Sequence, residues 1–274
     1  IGVQNVGENK TIYVAAVNKN YETAFGNAAI TLSKRTVVLT SATDNKVYDG
    51  TPLTNAGVTP SGDGFVDSEG FKSDPAASGT ITDVGWTANT LVIPELKDNT
   101  LAGNYTISKT EGKLTITVSD ALTVTVTGFT GLYDGDTHYV TATPSDETGT
   151  TLYYSTTGGT DLDDYSTTPI GVQNVGENKT IYVAAVNLNY ETAFGNAAIT
   201  LSKRAISLVS GSDSKEYDGT PLTNPAVTEF GDGFVDGEGF ESEPAASGTI
   251  TDVGSKANTL EIPALKDNTL PGNY

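Results

Sequence analysis

The sequence contains no cysteine and no methionine, one histidine, one tryptophan, and only 15 basic residues against 34 acidic ones. Without cysteine there are neither disulfides nor a thiolate zinc site, so stability has to come from packing. The net charge of −19 is the wrong sign for nucleic acid, whose phosphates need clustered Lys and Arg. It fits a solvated, self-repelling surface. No run approaches the ~20 apolar residues of a membrane-spanning helix; the longest are of the kind in Tyr182-Val183-Ala184-Ala185-Val186, so no membrane insertion by this segment is expected. The lone histidine, His138, has no G-x-S-x-G companion, and P-loop and strand-linked G-x-G-x-x-G patterns are missing as well, which leaves no frame for a hydrolytic triad or a nucleotide site.

What is present is repetition. Ile1–Tyr105 returns as Ile170–Tyr274 at a constant offset of 169 residues with 84 of 105 positions identical, and a period of this kind is read before anything else. Each period contains two halves. A B-type half opens at Thr36 and at Ala205, and an A-type half opens near Ala121. Both carry Tyr-Asp-Gly near the start (Tyr48-Asp49-Gly50, Tyr133-Asp134-Gly135, Tyr217-Asp218-Gly219), Val-Gly in the middle (Val84-Gly85, Val175-Gly176) and Asn-Tyr before the last strands (Asn104-Tyr105, Asn189-Tyr190). A and B therefore read as divergent copies of one unit. The expected division is 1–35, the C-terminal part of an A repeat; 36–118, a complete B; 119–204, a complete A; and 205–274, a B without its last strands. On that division the parent protein is longer, or neighbouring molecules supply the missing strands. Units of about 85 residues can bury a core on their own.

Thr, Val, Ile and Tyr dominate the ordered runs and Gly, Asp, Asn and Pro punctuate them, the pattern of many short strands in a sandwich. Leu122–Thr127 alternates apolar and polar residues at period two, as a strand with one buried face does. Further strands are expected at 138–142, 150–155, 179–186 and 197–202 in A, and at 37–41, 79–82, 90–93, 105–108 and 113–118 in B. No helix is expected. Asp-Gly after the tyrosine reads as a tight hairpin turn, with the tyrosine at the end of its domain and its hydroxyl near backbone. In Asn-Tyr, asparagine is expected to bond its own backbone and tyrosine to cover the core edge. The junction Arg204-Ala205 has no Gly/Ser-rich or Pro-rich spacer, which predicts closely abutted, stiff domains.

Acidic loops are the remaining chemistry. GDGFVDSEG supplies Asp63, Asp67 and Glu69, its copy supplies Asp232, Asp236 and Glu238, and Asp161, Asp163 and Asp164 cluster in GGTDLDDYS. Alternating oxygen ligands with a glycine for the bend would suit calcium, but Phe65 and Phe234 stand where such a loop wants a ligand, and a polar hairpin is the competing reading. Apart from calcium no cofactor is indicated. Lys, Asn and Asp are all present, yet no spacing pairs them as an isopeptide crosslink.

Through KVYDGTPLTN, GDGFVDSEGF, SGTITDVG, ANTLVI, AGNY and GKLTIT in that order, the chain resembles the YDG-type and "mostly beta, glycine-rich" tandem repeats of Gram-positive surface proteins. The A repeat shares GLYDGDTHYV, TLYYSTTGG and NVGENKTIYVAAVN. The resemblance implies an all-β chain of tandem Ig-like β-sandwiches, arranged as beads on a string, outside the cell and attached to its wall. It implies a non-enzymatic stalk whose partners are its neighbouring repeats, and it brings no catalytic residues. The other expectation is an adhesive module that engages host glycan or protein through Tyr153, Tyr154 and Trp86. Trp86 is replaced by Ser255, and Ser61 by Phe230, in the other copy, so both aromatics are expected on the surface.

Overall fold

A computed structural model describes all 274 residues. They form two compact units, Ile1–Asp120 with Leu188–Glu191, and Ala121–Asn187 with Thr192–Tyr274. Regular structure is almost all strand, and the helical content is four single 3-10 turns. The all-β sandwich expectation holds.

In the first unit the B repeat is built from two three-stranded sheets. Arg35–Ser41 lies between Tyr105–Thr110, parallel to it, and Val58–Gly62, antiparallel. Gly112–Thr117 lies between Asp44–Val47, parallel, and Gly85–Asn89, antiparallel. Alternation puts one face of each strand inside, and the branched side chains fill that face. Val37, Leu39, Leu91 and Tyr105 pack with Phe65 and Phe71, while Leu53, Leu114 and Ile116 pack with Tyr48, Ile81 and Val84. A buried amide ties the sandwich together: Asn89, fully buried, donates to the carbonyls of Ala42 and Asn55 and accepts from the Gly79 N–H. Burial of such a group is tolerated because its hydrogen-bonding capacity is met. Gly112 enters the second sheet so close to residue 42 that a Cβ would lie 2.3 Å from the Ala42 carbonyl oxygen, which leaves glycine as the residue that fits.

In the second unit the A repeat has a four-stranded sheet, in the order Phe129–Leu132, Ala193–Ser202, Lys179–Val186, Thr151–Ser155, faced by the pair Val124–Thr127 and Thr141–Pro144. Ile181, Val183, Ile199 and Leu201 are its buried centre, with Val140 and Val172. The same sequence in the first unit forms a lone hairpin, Lys10–Asn18 with Tyr21–Ile30, on which Tyr13 is 77% and Phe25 82% exposed. Nothing in the hairpin differs except Lys19; the strands that cover its copy are what bury it.

Two expectations change. Asp44–Val47, Leu53–Thr54, Val58–Gly62, Ala76–Ala77, Gly85–Asn89 and Phe129–Leu132 are additional strands, several of them too short or too rich in Gly, Pro and Asn to stand out as period-two runs. Tyr-Asp-Gly is not a hairpin turn. Asp44–Val47 and Leu53–Thr54, on either side of it, pair with different strands, Gly112–Thr117 and Thr80–Ile81, so the loop is a corner between sheets. Its glycines do take positive φ, +77° at Gly50, +83° at Gly135 and +79° at Gly219, a region that favours glycine.

Candidate functional site

The marks shared by A and B meet in space. In the second unit, Tyr133 follows Phe129–Leu132 and donates its N–H to the Ser202 carbonyl at 2.9 Å; in the first, Tyr48 follows Asp44–Val47 and donates to the Thr117 carbonyl, also at 2.9 Å. Both of these Tyr-Asp-Gly corners, at Tyr48 and Tyr133, thus leave a strand that runs parallel to the closing strand of its repeat. The aspartate then organises the loop. Asp49 accepts from the Lys46 ammonium at 2.6 Å and the Thr51 N–H at 2.9 Å, and Asp218 does the same with Lys215 and Thr220. The lysine in each case holds the carboxyl well below the usual carboxylate range. In the A repeat Asp134 instead lies 3.0 Å from the His138 Nε2, and the imidazole stacks on Phe129 at 3.6 Å.

Tyr133 is 4% exposed and meets the Asn-Tyr pair of the following B repeat. Its ring lies edge-on to Tyr274, centroids 5.7 Å apart, a favoured aromatic geometry. Both hydroxyls donate to one carboxylate, Tyr133 to Oε1 and Tyr274 to Oε2 of Glu238. Arg204 donates to the carbonyls of Tyr133, Asp232 and Gly233. Beside them Asn273, 1% exposed, accepts from the Val175 N–H at 3.0 Å and donates to the Asn174 side chain at 2.9 Å. The 3-10 turn Val175–Glu177 is presented for this by the Glu177 carboxylate, which accepts the N–H groups of Gln173 and Asn174.

The first unit contains the same device twice. Asn104 accepts from the Val6 N–H at 2.9 Å and donates to Asn5 at 3.0 Å. Asn189 accepts from the Val84 N–H at 2.8 Å and donates to Asp83 at 3.1 Å, with Tyr190 edge-on to Tyr48 at 5.2 Å. The asparagine of Asn-Tyr therefore does not bond its own backbone, as the sequence suggested. It clasps the Val-Gly turn of the preceding repeat, about a hundred residues away, and the tyrosine packs on the Tyr-Asp-Gly corner of that repeat in the two clasps where the corner is present. No local signal distinguishes that use from a turn; three recurrences of the marks in one order are the signal that could have found it.

The acidic loops are engaged in this framework. Asp63 accepts from the Thr36 N–H and hydroxyl, and Asp232 from the Ala205 N–H. Glu69 accepts from the Tyr105 hydroxyl as Glu238 does from Tyr274. Asp67 and Asp236 are exposed at their turns. Asp161 caps a 3-10 turn by accepting the Asp163 N–H, and Asp163 and Asp164 are exposed. No three acidic or histidine side chains converge into a group that could hold a metal ion. Trp86 is 65% and Phe230 56% exposed, as expected, and the Lys113 ammonium lies 4.8 Å from the Trp86 ring centroid. Tyr154 is different: it packs against the core of the A repeat.

Burial raises the Tyr133 phenol to about 12, helped by its hydrogen bond to Glu238 and by the charge there. Tyr274 is raised for the same first reason. A phenol with a folded value above the ordinary value of about 10 contributes stability in full below that pH and loses it as pH climbs from about 10 to 12. Alkaline titration followed by tyrosinate absorbance is expected to show a late-ionising phenol, absent in Tyr133→Phe, whose ionisation coincides with loss of structure in the second unit.

Sandwich repeats joined by a recurring Asn–Tyr clasp define a class, the tandem β-sandwich repeat protein. No family model and no curated protein match the sequence. Among solved structures it is similar to the extracellular domain of protocadherin gammaB4, at 14% identity and a TM-score of 0.29, over 97% of this chain and 49% of that one. The chain thus spans about half the length of that structure.

Proposed function

We propose that the chain is a non-enzymatic structural spacer, a stretch of tandem extracellular repeats that holds a distal domain of a cell-surface protein away from the cell wall. The observation that carries this reading is the clasp itself: at three places an asparagine holds the Val-Gly turn about a hundred residues before it, and at two of them the neighbouring tyrosine packs on a Tyr-Asp-Gly corner. Conserving a contact between neighbours while the exposed aromatics change is what a spacer requires. The charge of −19 would keep neighbouring arrays apart. The single histidine is held by Asp134 and Phe129, which suits a structural role.

The second reading is an adhesive module, and Trp86 is the residue that favours it, as an exposed aromatic in a surface position. Its absence from the other copy weighs against it. A glycan array and a panel of matrix proteins probed with the intact chain are expected to give no specific binding. Saturable binding that Trp86→Ser abolishes would replace the spacer with the adhesin.

A further inference from the structure

We propose that Tyr133 and Tyr274 form a covalent modification site, at which one-electron oxidation by a peroxide joins the two rings as dityrosine and locks the A repeat to the B repeat that follows it. The link goes beyond the spacer reading and does not rest on it. The two rings meet edge-on with centroids 5.7 Å apart, and their hydroxyls donate to the two oxygens of one carboxylate, Glu238. Those oxygens share a carbon atom, so both hydroxyls, and with them the ring carbons ortho to each, are gathered at one place.

The seat of Tyr274 belongs to the B repeat itself. Tyr105 occupies it in the first B repeat, where the chain runs on through Gly112–Thr117. Its hydroxyl accepts from the Val66 N–H and donates to Glu69, and its ring centroid lies 4.8 Å from that of Phe65. For Tyr274 the corresponding partners are the Val235 N–H, Glu238 and Phe234, the last again at 4.8 Å. Tyr133 is buried, while Tyr274 and Glu238 are half-buried, so a small oxidant reaches the pair through Tyr274.

Removing an electron from a phenol requires a base within hydrogen-bond reach to take the proton, and Glu238 is that base for both rings. Each ring gives up one electron and its hydroxyl proton. The protons leave one after the other through Glu238 to solvent, and the two electrons reduce the O–O bond of the peroxide. The two phenoxyl radicals then couple through their ortho carbons, and the hydrogen on each of those carbons moves to the neighbouring oxygen, which restores both phenols. The net change is one new C–C bond and the loss of two hydrogen atoms. Cysteine and methionine, which intercept oxidants, are absent from this chain, so the oxidising equivalents fall on its 13 tyrosines and one tryptophan. Among the tyrosines, a pair already held in contact has the advantage of an intramolecular reaction, and the charge of −19 disfavours coupling between chains.

The test is photolysis of the intact chain, in dilute neutral solution, with tris(bipyridyl)ruthenium and persulfate as the peroxide. The expected result is dityrosine fluorescence in the monomer, with a peptide joining Tyr133 to Tyr274 as the main cross-linked product in tandem mass spectrometry. The yield of that peptide is expected to fall at least about tenfold when the chain is unfolded in urea. It is expected to fall at least about tenfold in Glu238→Gln, in which slow amide exchange at Val175 reports that the Asn273 clasp is still closed. Tyr133→Phe is expected to give none. Dityrosine confined to products between chains or to other tyrosines, an unchanged Tyr133–Tyr274 yield in urea, or an unchanged yield in Glu238→Gln would each overturn the site.

Discussion

Tyr133→Ala is expected to destabilise the second unit by about 3–5 kcal/mol, the range for removing a large buried aromatic. The ring is 4% exposed, lies edge-on to Tyr274, and shares Glu238 with it, so its loss leaves a void at the meeting point of A and B and takes one donor from a carboxylate. Tyr133→Phe separates the two contributions. It keeps the ring and forfeits only the hydrogen bond to a charged group, for which about 1.5–3 kcal/mol is expected. Denaturant unfolding of the two variants, with hydrogen exchange to assign the loss to residues 121–187 and 192–274, checks both values. Equal losses would mean that the hydroxyl alone matters and that the ring contact contributes nothing.

Leu114→Ala is expected to remove about 2–5 kcal/mol from the B repeat of the first unit. Leu114 is fully buried, and with Ile116 and Leu53 it fills the space between the sheets. The reporter is already in place: Trp86, the sole tryptophan, pairs with Thr115 on the adjoining strand. Its fluorescence should show the urea midpoint falling by about 1 M or more. A shift below about 0.3 M would show that the closing strand is not what holds this repeat together.

The sandwich was legible because burial follows alternation where strands are long. Lys179–Val186 and Leu122–Thr127 both announce themselves this way. Strands of two residues, such as Leu53–Thr54 or Ala76–Ala77, carry no period and are fixed only by the partners that reach them across the sheet. The clasp was half visible. Tyr-Asp-Gly, Val-Gly and Asn-Tyr stand out as an ordered set, but their meaning as contacts lies in pairings such as Val175 with Asn273, 98 positions apart. A turn-forming asparagine and a clasping one look alike until the chain is folded. Glu69 and Glu238 mislead in the same way, since an acidic loop reads as a possible ligand set and the two glutamates are acceptors for tyrosine hydroxyls.

The central claim is that adjoining repeats are locked to one another by the clasp. Residual dipolar couplings on the intact chain, fitted separately for residues 121–187 with 192–204 and for 205–274, test it most directly. A single alignment tensor should fit both sets in the natural sequence, and Asn273→Ala, which leaves the Val175 N–H without its acceptor, should split it into two. Two unrelated tensors in the natural sequence would contradict the account, because the repeats would then be reorienting freely in spite of Asn273, Tyr133 and Tyr274.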